Sequence, residues 1–238
     1  MNALRRLRFS LRNHGMGSTL AKARGLVLDY LFDVRHGVDT CACLELDHLT
    51  VKGENRERGY LYQPTRVVLL RELFSALRPL IAADSVLVDF GSGKGRILLV
   101  AAEFGFREVR GVEFAHELCE IARRNIARFT ARTKGPTKFR VCELDAAKYV
   151  VGADETVFIL SNPFDQAILA KVLDNLVASL RQNPRHVLIV YFNAKWDQAI
   201  QERAEFVRLQ ELDLSGFRVT VYSNRERRSI PSTTRGAS

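Results

Sequence analysis

The amino-acid sequence predicts an α/β fold. We expect a doubly wound, mostly parallel seven-stranded sheet with a terminal antiparallel hairpin and an N-terminal cap of helices and loops. Short apolar segments rich in Val, Ile and Leu alternate with amphipathic helical segments from residue 86 to residue 191. A glycine-rich loop follows the first apolar segment, and polar or acidic residues follow the later ones. Ligands bind at that edge in open sheets of this kind.

Length and composition fit one globular domain with additional elements. The 238 residues are 47% hydrophobic and 26% charged, as in soluble proteins. We expect a basic N-terminal extension and cap over residues 1–62, the α/β domain over 63–224, and a basic, flexible tail over 225–238. No apolar stretch approaches the roughly 18 residues of a membrane span, and no secretory signal is recognisable. These features predict a cytoplasmic protein.

The segment before the sheet is predicted to form the cap. Leucines at helical spacing in the first 30 residues, interrupted by Gly15 and Gly17, predict two short amphipathic helices. The stretch from Phe32 to Tyr62 is less regular and predicts loops. A helix is expected to begin at Pro64, because proline suits the first turn, and to end by Pro79.

The remaining elements follow in alternation. Apolar strands separated by helices favour a parallel sheet that is covered on both faces, with right-handed crossovers. The two last strands have little helix between them and predict an antiparallel pair. The predicted strands are Val86–Phe90, Glu108–Glu113, Phe139–Cys142, Val157–Leu160, Val187–Tyr191, Phe206–Leu212 and Phe217–Tyr222, and the predicted helices are Arg96–Phe104, His116–Thr130 and Gln166–Leu180.

The glycine loop after the first strand predicts a site for an adenosine-bearing cofactor. Glycines at alternate positions 91, 93 and 95 accept positive φ and let backbone N–H groups approach an anionic ligand group. The dinucleotide pattern G-x-G-x-x-G would require glycine at position 96, which is Arg96. The phosphate-binding pattern G-x-x-x-x-G-K-[ST] fails because Gly95 follows Lys94. A nicotinamide-dependent reductase is therefore disfavoured.

The sequence Asp-Phe-Gly-Ser-Gly-Lys-Gly at 89–95, followed by Gly-Val-Glu at 111–113, resembles the first two motifs of class I S-adenosylmethionine-dependent methyltransferases. The resemblance implies S-adenosylmethionine as cofactor and Glu113 as the ligand of its ribose hydroxyls. Asp89 would orient the loop and the cofactor's ammonium group, or only bond the adjacent turn. Asp145 would accept from the adenine amino group, or only open the turn that follows it. The cofactor-binding residues implied are Asp89, Gly91, Ser92, Gly93, Gly95, Arg96, Glu113, Asp145, Ala146 and Asn162, with Tyr62 and Thr65 closing over the cofactor.

Asn162, Pro163 and Phe164 follow the fourth strand and are the candidate catalytic residues. They resemble the Asn-Pro-Pro-Tyr or Asn-Pro-Pro-Phe loop with which the amino-methylating branch of the family holds its target nitrogen. This chain has a single proline there, so the register differs, and a simple strand-ending turn is an equal alternative. The motif favours methyl transfer more than it selects a nitrogen acceptor.

A wider resemblance covers residues 30–195. The segments at 32–40 and 62–65 resemble those of an uncharacterised group of bacterial class I methyltransferases, and a looser likeness extends to the non-SET protein-lysine methyltransferases. This implies protein lysine as one candidate acceptor, beside a small molecule, a glycan or lipid headgroup, and RNA. A scaffold or regulatory protein that binds the cofactor without catalysis is the alternative. For Tyr62, a hydrophobic staple on the following helix is the alternative to a cofactor contact.

Other chemistry finds little support in the sequence. The histidines are scattered, and the cysteines at 41, 43, 119 and 142 lack zinc-site spacing, so we expect free thiols and no metal. Positive charge gathers at the ends: residues 1–28 hold six basic groups and no acid. Such termini are either solvated or in contact with an anionic surface. The sequence leaves the oligomeric state open.

Overall fold

The computed structural model describes residues 23–41, 64–161 and 165–225. Its seven-stranded sheet has the order β3-β2-β1-β4-β5-β7-β6, in which β1 to β5 are parallel and β7 is antiparallel to β5 and β6. The predicted fold class is therefore confirmed. The strands are β1 Val86–Phe90, β2 Glu108–Glu113, β3 Lys138–Glu143, β4 Glu155–Leu160, β5 Leu188–Phe192, β6 Val207–Leu214 and β7 Phe217–Ser223. The helices are α1 over residues 23–36, α2 Val67–Leu77, α3 Arg96–Ala102, α4 His116–Thr133, α5 Gln166–Gln182 and α6 Asp197–Gln201, with 3₁₀ turns at Arg78–Leu80 and Ala146–Lys148.

The central strands form the middle of two hydrophobic cores. Every residue of β1, β2 and β5 is buried, as expected for strands that helices cover on both faces. One core packs the sheet against α1, α2, α3 and Phe129 of α4. The other packs the opposite face against α5 and α6. None of the helices within the described ranges is long and apolar enough to cross a bilayer.

Helix α1 shows where the sequence interpretation was wrong. Residues 32–36 were expected to begin a loop, but the helix continues to residue 36. Phe32 and His36 are buried one helical turn apart, with ring centroids 4.6 Å apart, and His36 lies 4.8 Å from Phe129. This tertiary contact extends the helix beyond the point that local periodicity indicates. The predicted helix from Pro64 is confirmed as α2, whose first N–H, at Val67, donates to Asp29 at 2.8 Å.

The strand order indicates where this sheet is expected to bind a ligand. Strands β1 and β4 are neighbours although two strands separate them in sequence, so the strand order reverses between them. The loop after β1 and the residue after β4, Ser161, therefore meet at one edge, where sheets of this class bind their ligands.

Candidate cofactor-binding site

The glycine loop between β1 and α3 is held against the end of β2. The N–H groups of Gly91 and Ser92 both donate to the carbonyl of Val112, at 2.8 and 3.2 Å. The glycines at 91, 93 and 95 have φ values of 76°, 52° and 84°. Because side chains rarely adopt such values, the alternation of glycines is what permits this path. The predicted strand, loop and helix are therefore present.

Glu113 at the end of β2 binds the glycine loop. Its Oε2 accepts from the Gly93 N–H at 2.9 Å, and its Oε1 accepts from the N–H groups of Phe114 and Ala115, both at 3.0 Å. Burial raises the pKa of this carboxyl, and the three backbone donors oppose that rise. The side chain thus lies at the predicted place and fixes the loop, while its contact with ribose stays a prediction.

Asp89 in β1 is a buried carboxylate without a partner. It is 1% exposed, and neither carboxylate oxygen has a hydrogen-bond partner among the described residues. The alternative in which Asp89 bonds the adjacent turn is therefore not observed. Burial, followed by repulsion from Glu113, raises its pKa to about 8. A buried unpaired carboxylate is costly, so an ammonium group placed here would satisfy it.

Close packing beneath the loop requires glycine at position 111. A Cβ atom added to Gly111 would lie 2.5 Å from Ser92 Oγ and 2.8 Å from a Leu98 methyl carbon. Ser92 Oγ itself is buried without a partner among the described residues. It is a second polar group on the loop that a ligand can satisfy. Together with Asp89, it shows that the residues present fit a cofactor with polar and cationic groups.

Arg96 was predicted to bind the cofactor, which stays a prediction, and its side chain contacts the N-terminal segment. The guanidinium donates to Thr40 Oγ1 at 2.8 Å and to Cys41 Sγ at 3.0 Å, and it pairs with Asp29 at 3.3 Å. It is 2% exposed. A cofactor contact by the Arg96 backbone stays a prediction, since Gly95 places this residue at the first turn of α3.

Asp145, Ala146 and Thr65 lie at the same edge of the sheet. The Asp145 side chain accepts from the Ala147 N–H at 2.9 Å, so it does open the following 3₁₀ turn as the alternative reading predicted. Its contact with adenine is untested. Thr65 Oγ1 lies 3.2 Å from Ser161 Oγ, which places Thr65 beside the end of β4. Tyr62, Asn162, Pro163 and Phe164 lie outside the described residues, and their predicted roles stay predictions.

Sequence interpretation missed Lys94 and the carboxylate that it binds. The Lys94 side chain is 1% exposed and its Nζ lies 3.0 Å from Asp39 Oδ2. One signal was available: two cations, Lys94 and Arg96, stand in the glycine loop, and acids recur in the segment at 32–40. Pairing the two groups requires the fold, because 55 residues separate them.

A match to one family model shows to which protein family the chain belongs. The family described as "Histone methylation protein DOT1" matches residues 60–188, more than half of the chain. The chain belongs to the DOT1 family. It is accordingly an S-adenosylmethionine-dependent methyltransferase, as the resemblance of its first two motifs implied. A search of curated proteins finds no significant match.

Solved structures share the fold of this DOT1-family chain. Magnesium protoporphyrin IX methyltransferase (ChlM) from Synechocystis PCC 6803, solved with bound S-adenosylmethionine, matches at 14% identity with a TM-score of 0.50, over 65% of this chain and 77% of that one. An RNA methyltransferase from Salinibacter ruber, in complex with S-adenosyl-L-homocysteine, matches at 21% identity with a TM-score of 0.48, over 70% of this chain and 96% of that one. At 14% identity, the match to ChlM shows the fold alone.

Among the described residues of the DOT1-family chain, no group of three or more His, Cys, Asp or Glu residues could hold a metal ion. Cys41, Cys119 and Cys142 are free, and burial raises the pKa of each thiol, which keeps it protonated and unreactive.

Proposed function

We propose that this chain transfers the methyl group of S-adenosylmethionine to an amine of a protein, specifically to a lysine side chain. Methyl transfer itself follows from membership of the DOT1 family. Two things support the acceptor: the family's description as a histone methylation protein, and the likeness to non-SET protein-lysine methyltransferases. The observation that carries the cofactor part is the unpartnered Asp89 carboxylate under the glycine loop.

The charges at the ligand edge support cationic ligands. The whole chain has a formal charge of +9, yet acidic residues gather at the carboxyl ends of β1, β2 and β3, at Asp89, Glu113, Glu143 and Asp145. Glu113 and Asp89 are buried there, so their negative charges are weakly screened once the carboxyl groups are ionised. S-adenosylmethionine carries a sulfonium and an ammonium, and lysine approaches as a cation. A negative edge in a basic protein favours both.

The residues of the chain have to position the reactants more than to transfer protons. When bound, S-adenosylmethionine would supply an already activated methyl group on its sulfonium, for transfer to the lone pair of the amine with S-adenosylhomocysteine as the leaving group. Asp89 would bind the ammonium of the methionine part, and Glu113 would bind the ribose hydroxyls. The acceptor amine must lose its proton before attack. Asn162 and the Pro163 carbonyl would then orient its lone pair in line with carbon and sulfur.

Transfer of a labelled methyl group tests the acceptor class. The purified chain is incubated with S-adenosylmethionine carrying a tritiated methyl group and with an extract separated into protein, RNA, lipid and small-molecule fractions. We expect label in the protein fraction, and methyl-lysine after acid hydrolysis. Asp89→Ala, which leaves the ammonium unpaired, is the control for transfer that requires the bound cofactor.

Three outcomes would contradict the proposal in different ways. Label in RNA, lipid or small molecules would replace lysine by another acceptor. Label in protein at residues other than lysine would keep the protein acceptor and reject the amine. Binding of S-adenosylmethionine in calorimetry without transfer to any fraction would favour the non-catalytic scaffold.

A further inference from the structure

Two cations at the end of the glycine loop and the start of α3, Lys94 and Arg96, contact the segment that precedes the sheet. The side chains of Lys94 and Arg96 are 1% and 2% exposed. Both reach the segment over residues 29–41, which comprises the second half of α1 and the turn after it. We call this segment the clasp. Because both cations are buried, their partners in the clasp decide whether the loop keeps its conformation.

The first connection joins Lys94, Asp39 and Asn125. Lys94 Nζ donates to Asp39 Oδ2 at 3.0 Å. Asn125 of α4 accepts from the Asp39 N–H and donates to the Asp39 carbonyl, both at 2.9 Å. The Asn125 amide also donates to the Lys94 carbonyl at 3.0 Å. One buried side chain therefore ties the backbone of the clasp to the backbone of the glycine loop.

The second connection joins Arg96 to the end of the clasp. Asp33 accepts from the N–H groups of Thr40 and Cys41 at 2.7 and 2.9 Å, and from Thr40 Oγ1 at 2.5 Å. The same hydroxyl oxygen accepts from Arg96 Nε at 2.8 Å. Asp29 pairs with Arg96 at 3.3 Å. Asp29 therefore pairs with Arg96 directly, and Asp39 pairs with Lys94 directly. Asp33 contacts Arg96 through the Thr40 hydroxyl.

Arg96 extends this network toward the end of β4. Its Nη1 donates to the Thr65 carbonyl at 3.3 Å, and Thr65 Oγ1 lies 3.2 Å from Ser161 Oγ. The Arg96 guanidinium therefore contacts both the clasp and Thr65, which lies beside the end of β4. Displacement of the clasp would disturb the geometry of both sides of the ligand edge.

We propose that Lys94 and Arg96 are positioning residues that couple the clasp to cofactor binding. Their side chains hold the clasp against the glycine loop, and the loop presents its backbone N–H groups correctly only while the clasp is in place. This inference rests on the proposed binding of S-adenosylmethionine. Coupling between two sites is reciprocal, so the cofactor also stabilises the clasp.

Calorimetric titration with S-adenosylhomocysteine tests the coupling through Asp39→Asn. This variant removes the charge that pairs with Lys94 and keeps the side-chain shape. We expect at least about fivefold weaker binding, the low end of typical coupling between sites. The matched control is Asp154→Asn, which removes a similarly exposed aspartate from its pairs with Arg107 and the largely buried Arg110, before β4 and away from the glycine loop. It should change thermal stability and leave the affinity unchanged.

A double variant separates positioning from general destabilisation. Lys94→Met with Asp39→Asn removes both charges of the pair, so no unpaired buried ammonium remains. We expect binding as weak as for Asp39→Asn alone, because the connection that holds the clasp is still missing. Recovery toward wild-type affinity would show that the unpaired buried ammonium, and not the lost connection, weakened binding, and would overturn the positioning role. Arg96→Lys keeps the charge but loses the planar fork, and it should weaken binding as Asp39→Asn does.

Hydrogen exchange on the wild-type protein gives an independent test. Saturating S-adenosylhomocysteine should slow amide exchange over residues 38–41. Unchanged exchange there, or affinity of Asp39→Asn within twofold of wild type, would overturn the coupling while leaving the proposed function intact. Failure of the wild-type chain to bind S-adenosylhomocysteine would overturn both.

Discussion

Asp89 makes cofactor binding depend on pH in a way that can be measured. Its carboxyl is buried without a partner among the described residues, and its pKa is raised to about 8. Binding of an ammonium requires the ionised form. From that pKa, about 1% of the protein is ionised at Asp89 at pH 6 and about half at pH 8. Affinity should therefore rise steeply over this range.

The cofactor's own amino group ends the rise at higher pH. It belongs to a free amino acid, whose neighbouring carboxylate holds the pKa of the amino group above the roughly 7.7–8.0 of a peptide N-terminus, so it stays largely charged through pH 8. From the titration of Asp89 we expect S-adenosylhomocysteine to bind about fiftyfold more tightly at pH 8 than at pH 6, with a maximum above pH 8. Since Asp89 ionises on binding, close to one proton should be released per cofactor at pH 7.

Calorimetry from pH 6 to pH 9, in buffers with different ionisation enthalpies, measures both the affinity and the released protons. The control is Asp89→Asn, which should lose the acid limb of the profile and bind at least about tenfold more weakly at pH 8, because a charged hydrogen bond is removed. A flat wild-type profile without proton release would refute the reasoning. So would an Asp89→Asn profile with the wild-type shape.

Three further measurements test the stability of the fold and the contribution of single residues to cofactor binding. Asp89→Asn should stabilise the cofactor-free protein. Because the pKa of Asp89 is about 8 in the folded chain and near 4 in the unfolded chain, the wild-type protein loses stability as the pH rises from about 4 toward 8. The variant does not, so at pH 7 its free energy of unfolding in urea should exceed that of the wild type by about 4 kcal/mol. Glu113→Ala should weaken cofactor binding by about ten- to a hundredfold in calorimetry, because it removes a charged acceptor; unchanged affinity would exclude Glu113 from the site. Glu155→Ala should lower the free energy of unfolding by about 3–5 kcal/mol, since it breaks the buried 2.6 Å pair with Arg110. Cofactor affinity should stay unchanged, because Glu155 begins β4 and lies at the opposite end of the strand from the glycine loop. A changed affinity would show that the two ends of the strand communicate.

The parts of the fold that the sequence predicted are those with strong local patterns. The bounds of β1 and β2 match the prediction residue for residue. For β1 the reason is that a Val-rich apolar segment leads directly into the glycine loop. Helix α6, Asp197–Gln201, was not predicted, since five residues do not span two helical turns and show no periodicity. The extension of α1 to residue 36 depends on Phe129, which is far away in sequence.

In the candidate site too, residues in a local sequence motif were predictable and contacts between distant segments were not. Asp89, the glycine loop and Glu113 are recognisable because the loop follows its strand directly and the acid ends the next strand. The side-chain direction of Arg96 is not recognisable, because Thr40 and Asp29 are its partners only in the folded chain. From the sequence alone, a basic residue beside a cofactor loop, such as Arg96, is interpreted as a ligand contact. The structure shows that it binds a segment that precedes the sheet.

The clasp and Asp89 act on the same binding constant through different physics, and pH separates them. Asp39→Asn should lower cofactor affinity at every pH, since it changes how well the loop is held and removes no group that titrates near pH 8. Burial is the largest cause of the raised pKa of Asp89. If the clasp keeps water from that carboxyl, loosening it lowers the pKa and moves the affinity maximum to lower pH. A uniformly lowered profile with the wild-type maximum would mean that the clasp positions the glycine loop alone, and a shifted maximum would mean that it also sets the charge of the carboxylate beneath it.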